Sequence, residues 1–531
     1  MGYAIFLCAN ACSVAAGIVV GNQSALNEIL VDSLFDMFAA VLYPILVLFY
    51  SANSFDFDRE LFSINVEVLP AGSFECNARL FADPAERALF ITSLNSLRIL
   101  TFADLVLRLS MNFSFCLRFI TVINLMVETA QTQKIRQSPW EALAQQFHQQ
   151  RRVPKPVAAA FVAFGAAIVV YTQRSISISQ TACSPYPECV AFAYQWGSGE
   201  LCPCRTFVDV YRTPQTLKEW AEPIDVSETV NALSRAGMLQ NLQLINRGLT
   251  RWPEGLRTCK NLQYLSLIYT ETEELPEWAK DWTNLQFLLI EGKQLRPSLT
   301  YLPVELFSDM PYLQMIHIGA HAKLLSIPRL LGVPNLQSLT LAALYSVTEI
   351  PSFERVPKLQ HLALPYMEAL QTLPDMTPLQ NLIDFSIFSI TPVCCNGFMG
   401  KCDPADWFCV GNPMIDVPPS VCLGEGSPRP SVASQEVFKK FAPSLCLRSG
   451  FDIARTVDFL TPSMIEVCDG VSYRRCEYPP QSGRFGICMN NRLQVLMCMV
   501  NDDYIRLRQV QIQRKVGPPC DAIEEAWLGC G

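Results

Sequence analysis

Leu262-Gln-Tyr-Leu265-Ser-Leu267, Leu285-Gln-Phe-Leu288-Leu-Ile290, Leu313-Gln-Met-Ile316-His-Ile318, Leu336-Gln-Ser-Leu339-Thr-Leu341 and Leu359-Gln-His-Leu362-Ala-Leu364 follow one another through the middle of this 531-residue chain. Extending the column to Leu239 and Leu382 gives spacings of 23, 23, 28, 23, 23 and 23, with apolar residues at positions one, four and six of each unit. A second column runs in phase: Trp252-Pro253, Leu275-Pro276, Leu302-Pro303, Ile327-Pro328, Ile350-Pro351 and Leu373-Pro374. A proline in every unit rules out a string of long helices, because it removes a helical hydrogen bond and clashes with the preceding turn. Apolar residues at alternating positions fit a short strand with one face turned inward.

This pattern is the leucine-rich-repeat signature. No single unit can bury its own apolar face, so the units are expected to stack into a parallel β ladder with capped ends over 236–392. Such repeats usually carry Asn or Cys at position nine, whereas here that column reads Arg247, Thr270, Lys293, His321, Leu344, Met367 and Ile390. The regularity of the turns is therefore in question from sequence alone.

Of the 21 cysteines, sixteen cluster on either side of the repeats, while Cys8, Cys12, Cys76 and Cys116 lie far before them. Cys183, Cys189, Cys202 and Cys204 precede them; Cys394, Cys395, Cys402, Cys409 and Cys422 follow, then Cys446, Cys468, Cys476, Cys488, Cys498, Cys520 and Cys530. Zinc sites favour paired CxxC knuckles and histidine partners, and no CxxC or His occurs in the C-terminal cluster, so all sixteen read as disulfide candidates in an oxidising compartment. Cys259 stands alone, as a buried thiol or an intermolecular link. The stretch Gly424–Ser434, rich in Gly, Pro and Ser, reads as a linker or a long loop.

Before the repeats the chain is unusually apolar. Segments 3–21, 34–50 and 157–172 each approach the roughly 20 residues needed to cross a bilayer, and 88–127 holds a possible further span. The first lacks the positively charged start of a signal peptide and reads as a span. Lys134, Arg136, Arg151, Arg152 and Lys155 precede the last span and only Arg174 follows closely, which puts the chain beyond about residue 175 outside the cell. Two sequons, at Asn22 and Asn112, both lie before it. The expected organisation is a membrane domain (1–175), a Cys-containing N-terminal cap (176–235), leucine-rich repeats (236–392) and a Cys-rich module (393–531).

The last module contains Tyr473-Arg-Arg-Cys476, Gly486-Ile-Cys488, Asn491-Arg-Leu-Gln-Val495, Cys498, Cys520-Asp and Glu524-Glu-Ala-Trp527-Leu-Gly-Cys530. With the Cys394-Cys-Asn-Gly397 start, this resembles the WLGC domain of oomycete membrane proteins with leucine-rich repeats. The resemblance implies an integral membrane protein at the cell surface, expected at the plasma membrane, and supplies no catalytic residue.

Positions three, five and seven of such strands face the concave side and are not needed for the core. Aromatic, Met and His side chains there, with Leu289 at position five, make Tyr264, Phe287, Leu289, Met315, His317 and His361 the candidate ligand patch. His317 and His321 form an HxxxH pair, but a strand followed by a turn does not put both on one face as a helix would. The mild net charge of -8 and scattered cations argue against nucleic acid. No GxSxG elbow, Walker loop, kinase set or HExxH occurs, so neither enzymatic activity, a cofactor nor a metal is expected. The functional expectation is a membrane-anchored, receptor-like recognition protein without a kinase, with the lipid bilayer, an extracellular protein, peptide or glycan ligand, and a co-receptor as partners. The alternatives are a structural or adhesive surface protein and a transporter built on Asp36 and Asp104.

Overall fold

The computed structural model describes residues 2–20, 42–53, 59–69 and 154–531, apart from 196, 198, 294–297, 389, 412–416, 448–459 and 491–492, together with scattered helical positions within 31–38 and 106–127. The possible span at 88–127 falls largely outside the described residues, as do Asp36, Asp104 and the basic segment 134–152. The chain forms two compact units.

The first unit contains helix α1 (Gly2–Val20), α2 (Tyr43–Asn53) and α4 (Lys155–Cys183). Among the described residues, α4 is the helix long and apolar enough to cross a membrane. Small residues let α1 and α4 approach: Ala4, Ala11, Ala15 and Ala158 are buried, and a Cβ on Gly165 would sit 3.2 Å from the Cys8 Cα. Phe6 of α1 stacks on Phe38 at a centroid distance of 4.6 Å.

The second unit carries a nine-stranded sheet in sequence order. Strand β1 (Cys189–Phe192) pairs antiparallel with β2 (Cys204–Val210), and the Cys189–Cys204 disulfide joins them. From β2 onward the ladder is parallel: β3 (Asn241–Ile245), β4 (Tyr264–Ile268), β5 (Phe287–Glu291), β6 (Met315–Gly319), β7 (Ser338–Ala342), β8 (His361–Pro365) and β9 (Asp384–Phe388). Each strand covers positions three to seven of its repeat. Leu265, Leu267, Ile316, Ile318, Leu339, Leu341, Leu362 and Leu364, at positions four and six, are fully buried, as the spacing requires.

The missing asparagine at position nine has two substitutes. Asparagines one place before the leucine column form their own ladder: Asn284 donates to the Lys260 carbonyl, Asn335 to Pro311 and Asn381 to Pro357, at 2.7–2.8 Å. Position nine itself is settled residue by residue. Arg247 pairs with Asp209 at 2.6 Å, buried Lys293 donates to the Trp220 carbonyl at 2.7 Å, and Leu344, Met367 and Ile390 join the core. His321 accepts the Leu299 N–H on Nδ1 at 3.2 Å and donates from Nε2 to the Ile290 carbonyl at 3.3 Å, thereby pinning the extra residues of the 28-residue repeat.

Cys394–Cys446 closes across Gly424–Ser434, so of the two readings of this stretch, linker or long loop, it is the loop, inside the cap. Helix α7 (Val432–Lys440) brings Phe438, and the turn after it Phe441, over Phe385 of the last repeat. Cys395–Cys409 and Cys402–Cys422 complete this cap.

The remaining fold comprises α8 (Pro462–Glu466), the antiparallel strands β10 (Arg475–Glu477), β11 (Phe485–Asn490) and β12 (Leu496–Met499), and α9 (Asp502–Arg514). Cys468–Cys488, Cys476–Cys498 and Cys520–Cys530 bridge it. Its Glu524-to-Cys530 segment is structural. Glu525 holds Arg508 through contacts of 2.6 and 3.1 Å, both side chains being almost fully buried, while Glu524 pairs with Arg474 at 2.8 and 2.9 Å. Trp527 donates to the Tyr473 carbonyl. The Arg474 guanidinium holds the Glu524 carboxyl below its ordinary range.

Helix α3 (Arg59–Val68) belongs to this second unit, although the sequence suggests an uninterrupted membrane domain over 1–175. Leu61, Ile64, Val68 and Leu69 share a core with Tyr504, Leu507 and Val516, and Glu67 accepts two hydrogen bonds from Arg514 at 2.7 and 2.9 Å. An amphipathic pattern with four apolar residues on one face suits it to that role.

Candidate functional site

The strand face offered by positions three, five and seven is not uniform along the ladder. At β3 and β4 all six such residues are buried: Asn241, Gln243, Ile245, Tyr264, Ser266 and Ile268. At β5 and β6, Phe287, Glu291, Met315 and His317 are half-buried, and at β8 and β9 His361 and Asp384 are exposed.

The C-terminal fold causes this gradient. Ile245, Ile268, Tyr269 and Leu289 share a hydrophobic core with Ile487, Met489, Val495 and Met497. Polar contacts fix the register of that packing: Asn246 Nδ2 donates to the Leu493 carbonyl at 2.7 Å, Gln494 Nε2 to the Tyr269 hydroxyl at 3.3 Å, and the Leu496 N–H to the Pro214 carbonyl at 2.9 Å. The module thus covers the first repeats and leaves the later ones open.

The six candidate residues therefore separate. Tyr264, 4% exposed, and Leu289, 8% exposed, are covered, and their surface is not offered to solvent. Phe287 lies against Tyr264, with ring centroids 5.7 Å apart, and keeps part of its surface. Met315, His317 and His361 remain on the open half, where the parallel register aligns Phe287, Met315, Ser338, His361 and Asp384 in one row. Adjacent strands stand about 4.8 Å apart, so neighbouring members of the row lie within reach of one ligand.

Glu291, at position seven of β5, was not among the candidates, although its position in the repeat offers it to the same face. Its Oε2 lies 2.7 Å from His317 Nε2, and both side chains keep about a fifth of their surface exposed. Glu291 and Asp384 are the acidic groups of this face, and the row between them holds neither Lys nor Arg. His321 is turned inward; burial holds its imidazole down to a pKa of about 4, so it is neutral at physiological pH. The HxxxH pair therefore does not converge on one site, because His317 points to the strand face and His321 to the loop core.

The cysteine triplets that lie close together, Cys183, Cys189 and Cys202, and Cys468, Cys476 and Cys488, consist of disulfide-bonded residues, whose sulfurs are not free as thiolate ligands. Cys259 is fully buried with its Sγ 3.5 Å from the Ser234 carbonyl, and burial pushes its pKa up, so it is an inert core thiol rather than an intermolecular link. The density of disulfides assigns this part of the chain to an extracellular or secreted environment.

Solved structures similar to the chain include the leucine-rich repeat domain of the type III effector XopL (18% identity, 50% of this chain and 80% of that one, TM-score 0.27), a Leptospira interrogans leucine-rich-repeat protein (19%, 34% and 72%, 0.18) and a plant ice-binding protein (14%, 50% and 98%, 0.20). No curated protein matches the chain. Residues 463–531, from α8 to the terminal Cys520–Cys530 loop, match the WLGC domain family.

Proposed function

We propose that the chain is a membrane-anchored cell-surface recognition protein, and that the open half of its ladder, from Phe287 to Asp384, receives an extracellular protein or peptide. The observation that carries this reading is the gradient of exposure. The C-terminal fold seals β3 and β4 and leaves a row of side chains on β5 to β9 that the core does not need. Surfaces of this kind bind through a few central residues, here Met315, His317 and His361 flanked by Glu291 and Asp384. With two carboxylates, Glu291 and Asp384, on this face and neither Lys nor Arg in the row, the fitting partner is a segment that carries Lys or Arg beside an apolar anchor for Met315 and Phe287. Such a protein acts by binding and needs no chemical step. Helix α4 serves as the anchor, and signalling passes through the membrane segments or a co-receptor.

The test is saturable binding of defined basic, amphipathic peptides to the full chain displayed on cells. Substitution of Asp384 and His361 by Ala should weaken binding at least tenfold, and Val304→Ser, a change at an exposed residue off the row, should not. Equal loss from both would point to non-specific adhesion and sink the proposal.

A further inference from the structure

Away from the strand face, the 3₁₀ turns of the early repeats carry aromatic rings larger than the core requires. Leu275, Leu302, Ile327, Ile350 and Leu373, each just before the proline of its unit, are 2–8% exposed, so an aliphatic side chain fills that position. The first unit has Trp252 there, and its larger indole stays half-buried. Trp278, in the turn Glu277–Asp281 of the next unit, is also half-buried, and Tyr301 of the third is 42% exposed. The three rings thus come from three successive units.

Two of their polar atoms are engaged within the chain. Trp252 Nε1 donates to the Glu274 carbonyl at 2.6 Å, and the Tyr301 hydroxyl donates to the Glu277 carboxylate at 2.9 Å. What these two rings offer outward is therefore apolar ring surface. Trp252 and Trp278 meet at a centroid distance of 6.3 Å and an angle of 88°, backed by the fully buried Trp282 at 5.8 and 5.4 Å. Two indoles at a right angle make a corner, not a flat platform. Arg257 and Lys260 lie on Asp281 at 3.6 and 3.5 Å and Lys280 on Glu305 at 3.2 Å, which leaves exposed Glu254, Glu274 and Glu277 without a cation among the described residues.

An occupant must lay apolar surface on the rings and donate hydrogen bonds to the carboxylates beside them. Lipid fails the second condition, because an ionised carboxylate is costly to place in hydrocarbon. An acidic polymer is repelled by the same groups. A neutral sugar meets both conditions, with a C–H face that stacks on an aromatic ring and an edge of hydroxyl donors. Rings contributed by successive units call for an extended chain of such sugars, the shape that β-linkages give, and a corner holds one chain rather than a crystalline sheet.

We infer that Trp252, Trp278 and Tyr301 form a second binding surface, separate from the row Phe287 to Asp384, which takes a single chain of a neutral β-linked polysaccharide. One sugar fills the corner between Trp252 and Trp278, a neighbouring sugar lies on Tyr301, and hydroxyls donate to Glu254 and Glu277. This surface does not depend on the partner proposed for the strand row.

The test uses the full chain in lipid nanodiscs with three neutral probes, the hexamers of β-1,4-glucan, β-1,3-glucan and chitin, and polygalacturonate as the acidic counterpart. At least one neutral hexamer should bind saturably, and polygalacturonate should not. On the unsubstituted chain that hexamer should shield Trp252 and Trp278 from hydroxyl-radical oxidation, a reading that needs no variant to fold. Trp252→Leu and Trp278→Leu, which keep apolar bulk and remove the ring, should each weaken binding about tenfold or more. Met315→Ala, on the strand row, should leave it unchanged. Failure of all three hexamers to bind overturns the inference, as do equal binding of polygalacturonate and unchanged oxidation of both tryptophans. Loss of glycan with Met315→Ala alone moves the sugar to the strand row and contradicts a second surface. Loss of basic-peptide binding with the Trp variants, without any glycan binding, reassigns the corner to a protein partner and leaves the sugar reading refuted.

Discussion

Asn246 and Leu493 are 247 residues apart, and the Asn246 side-chain amide donates to the Leu493 carbonyl at 2.7 Å while also reaching the Tyr211 carbonyl at 2.7 Å. One side chain in the first repeat turn thus ties the N-terminal cap, the repeat and the WLGC fold together. Asn246→Ala leaves two carbonyls without that donor, and each unsatisfied buried acceptor costs about 1–3 kcal/mol. We expect increased labelling of Tyr269, which packs against the module, in footprinting experiments. Unchanged protection of Tyr269 would show that the apolar contacts alone hold the module in place.

Arg508 and Glu525 form an ion pair in which the side chains are 0% and 2% exposed, with Gln511 and the Pro518 carbonyl filling the remaining guanidinium donors. Removing one partner strands a buried charge, at a cost of about 3–5 kcal/mol. Glu525→Gln should therefore lower the denaturant midpoint strongly, whereas Arg508→Met combined with Glu525→Leu should recover much of the loss. If the single change is as mild as the double, the pair is not what specifies this fold.

His321 supplies a pH dependence with a definite sign. The unfolded imidazole protonates near the ordinary value of 6.5, but the folded one only near 4. Between these values the unfolded chain binds the extra proton, so stability is full above pH 6.5 and falls as pH drops toward 4. The difference is worth roughly 3 kcal/mol at its limit. His321→Gln should flatten the melting temperature between pH 7 and 4.5 while lowering it at pH 7, because the Leu299 N–H loses its acceptor. An unaltered slope in the variant would assign the pH dependence to other groups.

The ladder could be read from sequence because stacking physics repeats every 23 residues and leaves two columns in phase. The covering of Ile245, Ile268 and Leu289 could not, since it depends on residues 487–497 returning to the first repeats, and no local pattern records a contact so distant in sequence. Glu291 was legible in principle at position seven, but an acid there looks like an ordinary solvated side chain until His317 is placed 2.7 Å away. Helix α3 was hidden for another reason. Its apolar face resembles the apolar segments on either side of it in sequence, and only the partner surface on α9 separates them. The Gly424–Ser434 stretch could be read as a linker or as a long loop because composition reports local turn chemistry and not the Cys394–Cys446 bridge across it, which decides for the loop.

The open and covered halves of the strand face offer the most direct test. Intact cells displaying the full chain are treated with an impermeant carboxyl- and histidine-reactive label, and modification is read by mass spectrometry. We predict strong modification of Asp384 and His361, weaker modification of His317, and no modification of His321. Labelling of Asp384 and His361 only after the cells are permeabilised, or labelling of His321 equal to that of His361, would contradict an outward-facing ladder open at its later repeats.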